Sequence, residues 1–128
     1  MVLDVAHNVD GIQQLVIQIN NSAYKRLHIV FGIVKDKEID KVLAQLPQKA
    51  TYYFTRAQIL RALPEDELLQ RAAAFHLAGC SYGKVNEALA AAINAASGDD
   101  MIIVCGSIFV VGEVDLAEHP GLLIPKAH

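Results

Sequence analysis

Short runs of β-branched and apolar residues alternate along this chain with stretches whose apolar residues fall at helical spacing, and no other feature constrains the fold as much. The apolar runs lie at 2–5, 27–34, 51–55 and 101–105, with a brief extended piece at 80–83. After the first run, Ile12, Leu15, Val16 and Ile19 recur at i, i+3, i+4 and i+7, the pattern of a helix that buries one stripe. Ile39, Val42, Leu43 and Leu46 repeat it before Pro47 stops the helix. In a third helix Pro64 fits the first turn, Glu65, Asp66 and Glu67 complement the dipole, and Leu68, Leu69, Ala72, Ala73 and Phe75 form the apolar face. A fourth spans 84–96 with Val85, Leu89, Ala92, Ile93 and Ala96 on one side and Gly98 as its cap. Strands alternating with helices at this pitch predict an α/β domain, a mostly parallel sheet flanked by helices.

A chain of 128 residues, 53% of them hydrophobic, is one domain with enough apolar surface for a real core. Its formal charge of −3, with Lys and Arg scattered, leaves no basic footprint for nucleic acid or an anionic membrane. The longest apolar run, 101–112, is broken by Gly106 and Ser107 and falls short of the roughly 20 residues a membrane span needs. With no signal-peptide pattern and no C-x-x-C pair, Cys80 and Cys105 read as reduced, packed thiols of a cytoplasmic protein. His28, His76, His119 and His128 show no metal-ligand spacing, so no metal site is expected, and His28 reads as a strand residue. Residues 35–38 form a solvated charge cluster, and an irregular tail is expected from His119. The strand that begins at residue 2 suggests a domain excised from a longer protein.

Polar side chains crowd into the turn between the first strand and the first helix, residues 3–11. Asn8 can cap the helix, whose first N–H groups and positive dipole end suit an anion or polar ligand, with Asp4, His7 and Asn8 at the mouth. Asp4 stands at the end of a parallel strand, where open α/β sheets bind their ligands. Arg56 and Arg61 follow another strand's carboxyl end and are candidates for substrate carboxylates. Gly106-Ser107, between two β-rich runs, reads locally as a hairpin turn. Ser107 lacks the G-x-S-x-G elbow of a hydrolase nucleophile, and no G-x-x-x-x-G-K-[ST] loop is present to cradle a triphosphate.

The run Leu-Asp-Val-Ala-His-Asn-Val-Asp-Gly at 3–11 resembles the Asp-Gly-Ala-His-Asn-Pro-Asp-Gly signature opening the C-terminal domain of the folylpolyglutamate and dihydrofolate synthase family, within the Mur ligase superfamily. Val5 and Val9 replace its Gly and Pro. Gly-Ser-Ile-Phe-Val-Val-Gly-Glu-Val at 106–114 resembles a second family block, and weaker matches, Thr55-Arg56 through Pro64 and Glu87-Ala88-Leu89, lie between in the family's order. The resemblance implies a three-layer Rossmann-like domain in which Ser107 caps a final helix rather than sitting in a hairpin. It further implies a part of an ATP-dependent amide ligase that joins L-glutamate to folate or dihydropteroate through an acyl phosphate. By residue, it implies nucleotide contact for Asp4, a catalytic place for His7 beside the acyl phosphate, orienting or deprotonating the incoming amine, and a catalytic place for Ser107 at the same spot; Asn8 is a second nucleotide-site candidate, though it reads first as the helix cap. ATP and Mg²⁺ would be held mainly by an N-terminal ATPase domain, without which this domain would be inactive. The alternative is a non-catalytic Rossmann-like nucleotide-binding or interaction module, since a fold alone gives no function.

Overall fold

The computed structural model describes residues 1–35 and 38–115. Among these residues, five strands, β1 (Val2–Leu3), β2 (Leu27–Phe31), β3 (Thr51–Phe54), β4 (Gly79–Ser81) and β5 (Met101–Cys105), alternate with five helices, α1 (Val9–Asn20), α2 (Ile39–Gln45), α3 (Glu65–Ala73), α4 (Val85–Ala95) and α5 (Ile108–Gly112). The strands lie in the order β1-β5-β2-β3-β4, and every paired strand runs parallel.

Side chains alternate across a strand, so each strand feeds two cores. Ile29, Phe31, Tyr52, Phe54, Ile103 and Cys105 face α1, α2 and α3, while Val30, Tyr53, Ile102 and Val104 face α4 and α5. The result is the expected three-layer, Rossmann-like α/β arrangement with a parallel sheet in the middle. Central β2 is buried at every position, which explains its unbroken apolar run. Ile12, Leu15 and Ile19 of α1 are buried as their spacing requires.

Several boundaries differ from the sequence reading. The first strand ends at Leu3, although the Asp4 N–H still donates to Val104 O at 2.9 Å. Strand β2 stops at Phe31 because Gly32 brings its backbone against Thr55, where a Cβ would meet the Thr55 carbonyl oxygen at 2.6 Å. Beyond it, Val34 forms a single antiparallel bridge with Ala62. Pro64 sits just outside α3 rather than in its first turn, and α4 ends at Ala95 with the extended Ala96 as its C-cap, so Gly98 is not its cap. Ser107 begins a helix, as the family resemblance implies and against the local hairpin reading of 106–107. Cys80 is exposed, not packed, because β4 is the sheet edge; Cys105 is buried as expected, and both are free thiols. Part of the 35–38 charge cluster and the tail from His119 lie outside the described residues. Among those described, no helix is long and apolar enough to cross a membrane.

Candidate functional site

The β1–α1 turn is held from within. Asp4 is fully buried, and its Oδ1 accepts the Ala6 N–H at 2.9 Å, folding the chain back immediately after the strand. Asn8 caps α1 from an extended backbone, its Oδ1 accepting the Gly11 N–H at 2.8 Å. Between them His7 projects outward and is exposed, with Nδ1 3.1 Å from the Val5 carbonyl oxygen. A carbonyl can only accept, so Nδ1 carries the hydrogen and the lone pair is on Nε2. That tautomer leaves Nε2 as the nitrogen able to take a proton.

Facing this turn is the junction of β5 and α5. Gly106 adopts φ 106°, and its N–H donates to Ala6 O at 2.9 Å, tying the two turns together. A Cβ at Gly106 would lie 2.2 Å from Gly32 O, so the two backbones approach as only glycine permits. Ser107 is 3% exposed, and its Oγ accepts the Phe109 N–H at 3.0 Å. Helix α5 spans only Ile108–Gly112, and Ser107 spends an acceptor on its first turn, so the hydroxyl rather than the helix dipole is what Ser107 offers a ligand.

The structure brings three of the candidates around one recess of about 190 Å³, lined by His7, Val34, Arg61, Ser107, Ile108 and Phe109. These follow the carboxyl ends of β1, β2, β3 and β5, the end of an open parallel sheet where ligands bind. A base, a hydroxyl and a guanidinium therefore share an apolar-walled space. Arg56 is elsewhere. It lines a separate groove of about 330 Å³ with Lys35, and its Nε lies 3.5 Å from Glu65 Oε2. Asp4 and Asn8 shape the turn rather than line the recess. Among the described residues no three His, Cys, Asp or Glu side chains gather as a metal site would need.

Sequence reasoning missed Val34, Ile108 and Phe109 as recess walls. The signal available for the last two was position: Ile108 and Phe109 are 61% and 45% exposed, whereas Val110 and Val111 carry the buried stripe of α5. It also missed the partners of His28, which lies in β2 as expected but spans Tyr53 Oη and Asp100 Oδ2, each at 2.8 Å. This buried line is at the opposite end of the sheet from the recess. The hydrogen bond from His28, then that from the Ser97 N–H, hold the Asp100 carboxyl below the ordinary carboxylate range. Burial, with the Asp4 carboxylate nearby, pushes the Cys105 thiol well up, so it stays protonated.

A family profile described as Mur ligase, glutamate ligase domain, matches residues 1–108. A probable bifunctional folylpolyglutamate synthase/dihydropteroate synthase of Haloferax volcanii is 32% identical over 131 residues, covering 100% of this chain and 15% of the relative. The crystal structure of a bifunctional folylpolyglutamate synthase/dihydrofolate synthase from Yersinia pestis, complexed with AMPPNP and Mn ion, is similar with a TM-score of 0.77. That likeness is at 28% identity and covers 91% of this chain and 28% of that one. A bifunctional folylpolyglutamate synthase/dihydrofolate synthase with Mn, AMPPNP and L-glutamate bound gives a TM-score of 0.79 at 28% identity, over 91% and 29% of the two chains. The chain thus spans less than a third of the length of these relatives.

Proposed function

The chain belongs to the Mur ligase, glutamate ligase domain family, and from that premise we propose that it supplies the glutamate-binding side of an ATP-dependent amide ligase acting on folate or dihydropteroate. The convergence of His7, Arg61 and Ser107 on one recess at the carboxyl end of the sheet is the observation that carries this reading. A free carboxylate does not accept an amine at neutral pH. Transfer of the terminal phosphoryl group of ATP to the substrate carboxylate gives an acyl phosphate and ADP. The glutamate amine then attacks the acyl carbon, the C–O bond to phosphate breaks, and the amine proton must leave. Nε2 of His7, set as the acceptor by its Nδ1 bond to Val5, takes that proton. Arg61 pairs with a glutamate carboxylate, and the Ser107 hydroxyl donates to an oxygen of the reacting group. Arg56, paired with Glu65 in another groove, is the weaker carboxylate ligand of the two arginines.

Asp4 and Asn8 serve the nucleotide by shaping the β1–α1 turn beside it. Triphosphate and Mg²⁺ need a phosphate loop and carboxylate ligands, and these belong to an ATPase domain of the same protein. The working assembly is cytoplasmic, where folates and ATP meet. The test is made on this chain joined to its ATPase domain, by measuring ADP release and the glutamylated product by mass spectrometry. His7→Ala is expected to lower turnover by about 10² to 10⁴. Unchanged turnover would remove His7 from the chemistry, and an intact assembly that never forms a glutamyl amide would overturn the ligase reading.

A further inference from the structure

We propose that Glu113 is a positioning residue that fixes the Arg61 loop against the helix bearing Ser107, and so sets the width of the recess between them. Helix α5 has Ser107 at one end and Glu113 at the other. The Glu113 Oε2 accepts the backbone N–H of Gln58 at 2.6 Å, a short charge-assisted bond into the middle of the segment joining β3 to α3. That segment carries Arg56 on one side of Gln58 and Arg61 on the other. The latch is extended in two directions. Gln58 Nε2 donates to Gly83 O at 2.8 Å and Arg56 O at 3.3 Å. Asn86 Nδ2 donates to Glu113 O at 2.9 Å, while Asn86 Oδ1 accepts the Asp115 N–H at 3.0 Å, so the end of α5 is pinned to the first turn of α4.

The far end of the loop is fixed separately, by Lys35 N–H to Arg61 O at 2.7 Å and Leu63 N–H to Ile33 O at 2.9 Å. Those bonds anchor Arg61 to the β2 side of the recess. Glu113 is what ties the same loop to the α5 side, where Ser107, Ile108 and Phe109 form the opposite wall. Removing its carboxylate leaves each side anchored to its own element but releases the loop from α5, so the distance between Arg61 and the Ser107 wall is no longer set. A glutamate held by Arg61 would then bind less well, while the chemistry at His7, which is held by its own turn, would be little changed.

The experiment has two arms, of which only the second rests on the ligase reading. In the first, amide hydrogen exchange is followed by NMR in the 128-residue chain. Glu113→Ala is expected to speed exchange at Gln58, Ile59 and Ala62 by about tenfold or more, while Glu113→Gln, which keeps an acceptor oxygen, stays close to the parent. Unchanged exchange in Glu113→Ala overturns the latch whatever the protein does. In the second arm, on the chain joined to its ATPase domain, Glu113→Ala is expected to raise KM for glutamate about tenfold with kcat within about twofold. Arg61→Ala should raise the same KM, and the double variant should add little to it. Loss in kcat alone, or a KM that Glu113→Gln raises as much as Glu113→Ala does, overturns the positioning role. If Arg61→Ala leaves KM unchanged while exchange responds to Glu113→Ala, the fault lies with the glutamate assignment and the latch stands.

Discussion

Asp100 sits in the turn before β5, yet one of its oxygens gathers three donors, a local one from Ser97 and two from the far-off segment around β2, His28 and Arg26. Oδ2 lies 2.8 Å from His28 Nε2, 3.1 Å from Ser97 N and 3.3 Å from Arg26 Nη2, with the side chain wholly shielded. The Nε2–H of His28 donates to that carboxylate, and Nδ1 then faces the Tyr53 hydroxyl. Hydrogen bonds to the charged form favour it, chiefly that from His28, and Asp100 therefore titrates below its unfolded value. The stability it lends is fully present above the ordinary carboxylate range and is lost as pH falls through the lower, folded value. Urea midpoints taken from about pH 6 to about pH 3 should fall in the parent, and should fall less steeply in Asp100→Asn, which cannot be neutralised by acid. Equal slopes would deny Asp100 a share in the acid limb. None of this was legible at residue 100 itself, because an Asp-Asp pair before a strand reads as a turn and its partner is 72 residues away.

At the scale of elements, the β5–α5 junction shows how local signals compete. Ile, Phe, Val and Val at 108–111 are β-formers, and the local pattern favours a hairpin. The helix forms because Ser107 caps it, Val110 and Val111 bury against the α4 face of the sheet, and Gly106 turns the chain through a left-handed conformation. Burial outweighs the small propensity deficit of β-branched residues. Gly106→Ala must both hold φ 106° with a side chain and push against Gly32 O, so it should cost about 1–3 kcal/mol or more in denaturant unfolding. A variant as stable as the parent would mean that the junction relaxes freely. By contrast, the ends of α1 and of β5 were readable directly, since Asn8 caps its own helix within three residues and 101–105 is apolar throughout.

For the whole molecule, the two thiols report on different depths of the same fold. Cys80 lies exposed on edge strand β4, and Cys105 is buried at the end of β5 between β1 and β2. A thiol reagent should therefore modify Cys80 at once, while Cys105 reacts at a rate set by global opening and rises with urea along the unfolding curve. Rapid labelling of both in native buffer would show that the sheet opens locally near the recess. The expectation that both cysteines are packed failed because flanking apolar residues do not reveal which strand closes the sheet.

The number and kind of the main elements, the capping of α1, the two-faced burial of the strands and the polar turn at Asp4 to Asn8 are all written in local patterns of residues. Each of these depends on residues a few positions apart, whose spacing and capping act before any tertiary contact forms. The insertion of β5 between β1 and β2, by contrast, is a matter of long-range packing. That insertion brings His7, Arg61 and Ser107 to one recess, leaves Arg56 in another, pairs His28 with Asp100, and sets Glu113 against Gln58. Strand order follows from how the whole apolar surface is best covered, a non-local sum that no short window of residues contains.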